Sequence, residues 1–154
     1  MSTNSGQYTE NDFTPVVNAM ELSDYVFHIT DNPNKFPEYT ITKKEKDGMI
    51  FVTMQLKQDS LTNIVRRQAF EIYMDVFTAN EINLKRHPER KQERLSKQLH
   101  AIELCNRHLA AIQLCRKKFH MSYKRMKYWG KKTRDLREVI ERWHESDKDR
   151  FKGI

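Results

Sequence analysis

Apolar residues recur at helical spacing over most of the chain. Leu61, Val65, Ala69, Ile72 and Val76 follow one another at intervals of four, four, three and four, and Ile64, Tyr73 and Phe77 widen the stripe. That period belongs to an amphipathic helix. It predicts one from about Ser60 to Ile82, with Asp59-Ser60 supplying the cap. Further on, Leu95, Ile102 and Leu109 are seven apart, and so are Cys105, Ile112 and Phe119. Interleaved heptads are the pattern of bundle packing; they predict a helix opened by Pro88 and reaching about Phe119. Met126, Trp129, Thr133, Leu136, Ile140 and Trp143 make the cleanest stripe, in a helix capped by Ser122. Gly130 lies within it at a cost of about 1 kcal/mol relative to Ala, which close helix packing would explain.

The first helix is expected to start at Thr14-Pro15, with Thr as cap and Pro in the first turn. Val16, Met20 and Phe27 mark one face of it, with Val17 and Ile29 nearby, and Asn32-Pro33-Asn34 stops it. Between the first two helices the pattern changes. Tyr39-Thr40-Ile41-Thr42 and Met49-Ile50-Phe51-Val52-Thr53 are rich in β-branched and aromatic residues and flank Asp47-Gly48. Asp-Gly between such runs is a strong hairpin signal. An isolated hairpin is marginal in water, so it should pack on the bundle or on a neighbouring subunit.

These elements predict an all-α protein: an antiparallel four-helix bundle over residues 14–146 with a short β-hairpin inserted at about 38–56. Residues 1–13 read as a disordered tail and 147–154 as a frayed one. A length of 154 residues suits a single domain with a real core. With four Gly and four Pro, the chain has too little turn punctuation for a β-sandwich. No stretch approaches the ~20 apolar residues of a membrane span. The polar, acidic N-terminus is not a secretory signal. Cys105 and Cys115, ten apart in one helix, would lie about 15 Å from each other, beyond the reach of a disulfide. They are expected as free thiols in a reducing cytoplasm.

Charge is placed unevenly. Residues 1–84 hold 7 Lys+Arg against 12 Asp+Glu, a net −5; residues 85–137 hold 17 against 4, a net +13; residues 138–154 hold 4 against 5, a net −1. A basic block spanning two helices argues for a polyanionic partner. The cations expected to meet it are Arg116, Lys117 and Lys118 at the end of the third helix, and Lys124, Arg125, Lys127, Lys131, Lys132 and Arg134 in the fourth. The fourth-helix cations avoid the apolar stripe, and a tight connection would bring the two clusters together. Part of the first cluster also complements the helix dipole. Tyr123 and Tyr128 are candidates for stacking on bases, although packing between helices or subunits is the preferred reading.

No motif calls for catalysis. There is no phosphate loop, dinucleotide fingerprint or nucleophile elbow. Cys105 and His108 sit at i, i+3 with no second pair to complete a zinc site. Glu141 and His144 have di-iron spacing once only and are expected on the exposed side. The chain is therefore expected not to be an enzyme and to use no cofactor or metal.

Several short motifs, in order along residues 16–145, resemble a known family. They are Asn34-Lys35-Phe36-Pro37, Ile72-Tyr73 with Ala79-Asn80-Glu81, Leu104-Cys105, Phe119-His120-Met121-Ser122-Tyr123-Lys124, and Tyr128-Trp129. The chain resembles the four-helix-bundle family that contains the accessory variability determinant (Avd) of diversity-generating retroelements and the proteins encoded in 23S rRNA intervening sequences. The resemblance implies a ring-like homopentamer that binds a partner reverse transcriptase and, through basic surfaces, template RNA or cDNA. No catalytic residue carries over. In the simpler family pattern an arginine-bearing segment runs from the Phe-Pro element almost directly into the second helix. Here about twenty residues with the Asp-Gly turn intervene, which bears on any partner surface near that junction. The alternative is a homo-oligomeric scaffold of the intervening-sequence type with no direct nucleic-acid role. A bundle-core metal enzyme is a third and weaker expectation.

Overall fold

In a computed structural model the described residues are 13–32, 35–36, 39–56 and 60–153. Four helices, α1 (Thr14–Ile29), α2 (Leu61–Glu81), α3 (Lys91–Phe119) and α4 (Tyr123–Arg150), pack in the cyclic order 1-2-3-4. Strands β1 (Tyr39–Lys46) and β2 (Met49–Leu56) form an antiparallel hairpin between α1 and α2. Contacts across the bundle fix the helix directions. Phe13, just before α1, meets Trp143 late in α4, while Tyr25 late in α1 meets Tyr128 early in α4. Gln68 and Asp75 of α2 reach His108 and His100 of α3 in reversed order. Neighbouring helices are thus antiparallel.

The periodic residues of α2 to α4 form the core. Val65, Ala69, Ile72 and Val76 are fully buried in one cluster with Cys105, Ile112, Trp129, Leu136 and Ile140. Leu61, Ile102, Leu109 and Met126 pack around them, partly covered. Ser60 Oγ accepts the Asn63 N–H at 3.2 Å and Ser122 Oγ the Arg125 N–H at 3.2 Å, the two expected caps. Asp47 and Gly48 both have positive φ, as a two-residue hairpin turn needs.

Several boundaries and faces differ from the sequence reading. Phe13, not Thr14, is the cap residue of α1, and no side chain bonds there. The buried face of α1 is Pro15, Val16, Ala19, Leu22, Val26 and Ile29. Met20 and Phe27 lie outside, since a stripe at intervals of three and four had two solutions around a short helix. Pro88 opens a single 3-10 turn, Pro88–Arg90, and α3 follows it. Phe13, assigned to the tail, packs edge-on against Trp143 at 5.2 Å; residues 1–12 are outside the described part. At the other end no frayed tail begins at 147: α4 continues to Arg150, and Asp147 is fully buried. Its carboxylate accepts bonds from Arg94 Nε at 2.7 Å and Gln98 Nε2 at 2.6 Å, and a buried carboxylate with such partners holds the last turn.

The interior polar groups form two ladders. Trp129 Nε1–H donates to His108 Nε2 at 3.0 Å, and His108 Nδ1 lies 3.0 Å from Gln68 Oε1. The indole donor leaves Nε2 as acceptor, so the proton is on Nδ1 and the ring is neutral. In the second ladder His144 Nδ1 lies 2.9 Å from Gln98 Oε1, and Gln98 passes the chain to Asp147. His144 is therefore buried, against the expectation that it faces out with Glu141; only Glu141 does.

Candidate nucleic-acid interface

The α3–α4 connection is three residues, His120 to Ser122, and its geometry explains how two basic segments meet. His120 adopts the left-handed conformation (φ 52, ψ 38) that ends α3, and its N–H bonds back to the Arg116 carbonyl. Met121 N–H also reaches that carbonyl at 3.2 Å. Ser122 then caps α4, which folds back along α3. The turn is pinned from inside: Phe119 meets Phe36 edge-on at 5.1 Å, and Met121 is buried.

Around this turn the expected cations divide. Arg116 lies over the Tyr123 ring at 5.3 Å, and Lys127 Nζ is 6.0 Å from the same ring. Tyr123 thus joins the end of α3 to the first turns of α4. An open cleft beside the turn is lined by Gln113, Arg116, Lys117, His120 and Met121. A second shares His120 and Met121 with it and is also lined by Lys35, Phe36, Phe119, Ser122 and Arg125. Lys124 is exposed in the first turn of α4. Arg116, Lys117, Lys124, Arg125 and Lys127 are therefore one cluster, and Lys35 and His120 join it. The sequence reading missed those two as site residues. Lys35 lies before the hairpin, far from the basic block, and its signal was its place in the Asn-Lys-Phe-Pro motif.

The other four stand apart. At 100° per residue, Lys118 lies about 160° around α3 from Arg116, away from the α4 side. Lys131 is held by Asp135 at 2.7 Å, and that carboxylate raises its pKa. Lys132 turns toward α1, 3.9 Å from Glu21 and 5.6 Å from the Tyr128 ring. Arg134 borders the far end of a groove that Tyr123, Lys127 and Gly130 also line, about three turns along α4 from the connection. Gly130 is not the site of close helix approach: a Cβ there would first meet Arg134 Nη1 at 3.3 Å, on its own helix.

Comparison with protein families, curated proteins and solved structures gives no match for this chain. The solvent-facing groups of the site are cations, one aromatic ring and a helix-start N–H set, which together attract phosphate oxygens. Among the described residues no group of His, Cys, Asp and Glu is arranged to hold a metal. Cys105 and Cys115 are both buried free thiols whose pKa burial pushes up to about 12, so neither is poised as a nucleophile. No helix among the described residues is long and apolar enough to cross a membrane.

Proposed function

We propose that this protein is a non-enzymatic accessory factor of a diversity-generating retroelement, binding template RNA or cDNA and a partner reverse transcriptase. The observation that carries the nucleic-acid part is the gathering of Arg116, Lys117, Lys124, Arg125 and Lys127 about one three-residue turn, with Lys35 beside them. Among the described residues none of these six is ion-paired to a carboxylate, whereas Lys131 and Lys132 are. Unpaired cations leave their counterions when phosphate replaces them, so binding is salt-dependent and largely blind to sequence. The reverse transcriptase, and assembly as a homopentamer, rest on the resemblance in motif order.

The test is RNA binding across a salt series with the variant K117E/K124E/K127E. Binding should weaken strongly, and the salt slope should fall by about 0.7 for each single-strand phosphate that the variant no longer neutralises, while the helical circular dichroism is kept. K131E/K132E should be affected less, because those charges already have partners. Equal binding by the first variant and the parent would sink the assignment. A chain that recruits reverse transcriptase with no measurable RNA affinity would favour the scaffold reading.

A further inference from the structure

We propose that the groove between α3 and α4, running from Tyr123 to Arg134, seats the unpaired bases of a single-stranded nucleic acid. The inference rests on the nucleic-acid reading above and adds to it the class of strand.

The groove starts at the cation cluster and leads away from it. Tyr123, Lys127, Gly130 and Arg134 follow one another at intervals of four, three and four, so they share one face of α4 over about 16 Å. Leu109, Ile112 and Gln113 line the α3 side. The floor is apolar: Ile112 is buried, and Leu109 and Met126 are half-buried beside it. At Gly130 the helix has no side chain to fill the space. The Arg134 guanidinium instead lies across the gap, with Nη1 3.3 Å from where a Cβ would stand. Among the described residues no carboxylate lines the groove.

Of the two tyrosines that the sequence offers for stacking, the structure leaves one available. Tyr128 packs on Tyr25 at 5.2 Å and belongs to the α1/α4 side. Tyr123 is 58% exposed and has no aromatic partner among the described residues; its ring is met by Arg116 at 5.3 Å and Lys127 at 6.0 Å. An exposed ring flanked by cations at the mouth of a groove is a stacking platform, and stacking accepts any base because every base has a flat face.

Charge and shape together select the occupant. Arg116, Lys127 and Arg134 draw an anion along the groove, and the apolar floor takes a planar ring. The exposed Gln113 amide offers a donor and an acceptor to a base edge. A single strand supplies both parts, with phosphates outside and bases turned in. In a duplex the base faces are already stacked on one another, so the ring and floor would stay uncovered. An acidic peptide would meet the cations and leave the floor empty.

The experiment compares two probes at low salt on the full chain: oligothymidylate, and an abasic strand with the same number of phosphates. Oligothymidylate should bind about tenfold more tightly, the scale of one base–aromatic stack. Tyr123→Leu should remove most of that difference and Tyr123→Phe should keep it, with the helical circular dichroism unchanged in both. Equal affinity of the parent for the two probes would overturn the base site and leave the cation cluster standing; no affinity for either would overturn the nucleic-acid reading with it. A loss on Tyr123→Leu that is equal for both probes would also overturn the proposal, since the ring would then only position Arg116 and Lys127. So would a lower molar mass of Tyr123→Leu by light scattering, which would assign the groove to subunit contact.

Discussion

At the scale of single residues, the interior polar groups set the sharpest expectations. His108 is held neutral: burial lowers its pKa from 6.5 to about 3, and Trp129 donates to its Nε2. A histidine whose folded pKa lies below its unfolded value binds fewer protons when folded, so stability is full above about pH 6.5 and falls below it. The loss continues toward pH 3 at up to about 1.4 kcal/mol per pH unit. Urea melts between pH 7 and 4 should show this slope, and His108→Gln should remove much of it. A slope unaltered by His108→Gln would place the acid sensitivity elsewhere. Asp147 is the other costly position. Asp147→Ala leaves Arg94, largely covered, and Gln98 without their acceptor, an expected loss of about 3–5 kcal/mol in chemical denaturation; a loss under about 1 kcal/mol would mean water replaces the carboxylate. Gly130→Ala should go the other way. The new methyl needs only the mobile end of Arg134 to give by a few tenths of an ångström, and helix propensity favours Ala by about 1 kcal/mol. The melting temperature should rise, and a fall would show that Arg134 is fixed.

At the scale of elements, the end of α3 and the start of α4 act as one unit. The left-handed His120, the Ser122 cap and the Phe36–Phe119 contact hold a turn too short to spread its charges. Its rigidity is testable apart from binding. Ser122→Ala removes the acceptor for the Arg125 N–H and should cost about 1 kcal/mol. Hydrogen exchange in the first turn of α4 should quicken while the middle of α3 stays protected; unchanged exchange would mean the cap contributes nothing to local order. The hairpin is the opposite kind of element, well specified at its Asp47-Gly48 turn and exposed at the side chains described, Thr42 to Thr53. The capped helices were legible because Ser60 and Ser122 announce themselves by position before an apolar period. The true face of α1 was not: Val16 serves both solutions, and only packing against α2 and α4 decides for Ala19, Leu22 and Val26 over Met20 and Phe27.

At the scale of the whole molecule, charge and apolar surface are segregated. The α1/α2 side exposes Met20, Phe27, Phe70 and Met74, and the α3/α4 turn holds the cations. Such an arrangement lets self-association and polyanion binding use different surfaces. Raising salt from about 50 to 200 mM should therefore weaken RNA binding steeply. RNA binding that stays constant across that range would show instead that phosphate contacts do not carry it.

The sequence alone determined α2, α3 and α4, the Ser60 and Ser122 caps of α2 and α4, the hairpin turn and the excess of positive charge. Each depends on interactions between residues a few positions apart, which period and turn chemistry record directly. That the end of α3 and the start of α4 come together was legible from the tight connection expected there; tertiary structure decided which cations gather about it. Arg116 and Lys117 meet Lys124, Arg125 and Lys127 because a left-handed residue reverses the chain. Lys35 arrives from before the hairpin because Phe36 is buried against Phe119. Lys118, next to Lys117 in sequence, is turned away by helical rotation. The fates of His144 and Asp147 were likewise settled by Gln98 and Arg94 about fifty residues earlier. Contacts across that distance are fixed by how helices pack, and spacing along the chain carries no trace of them.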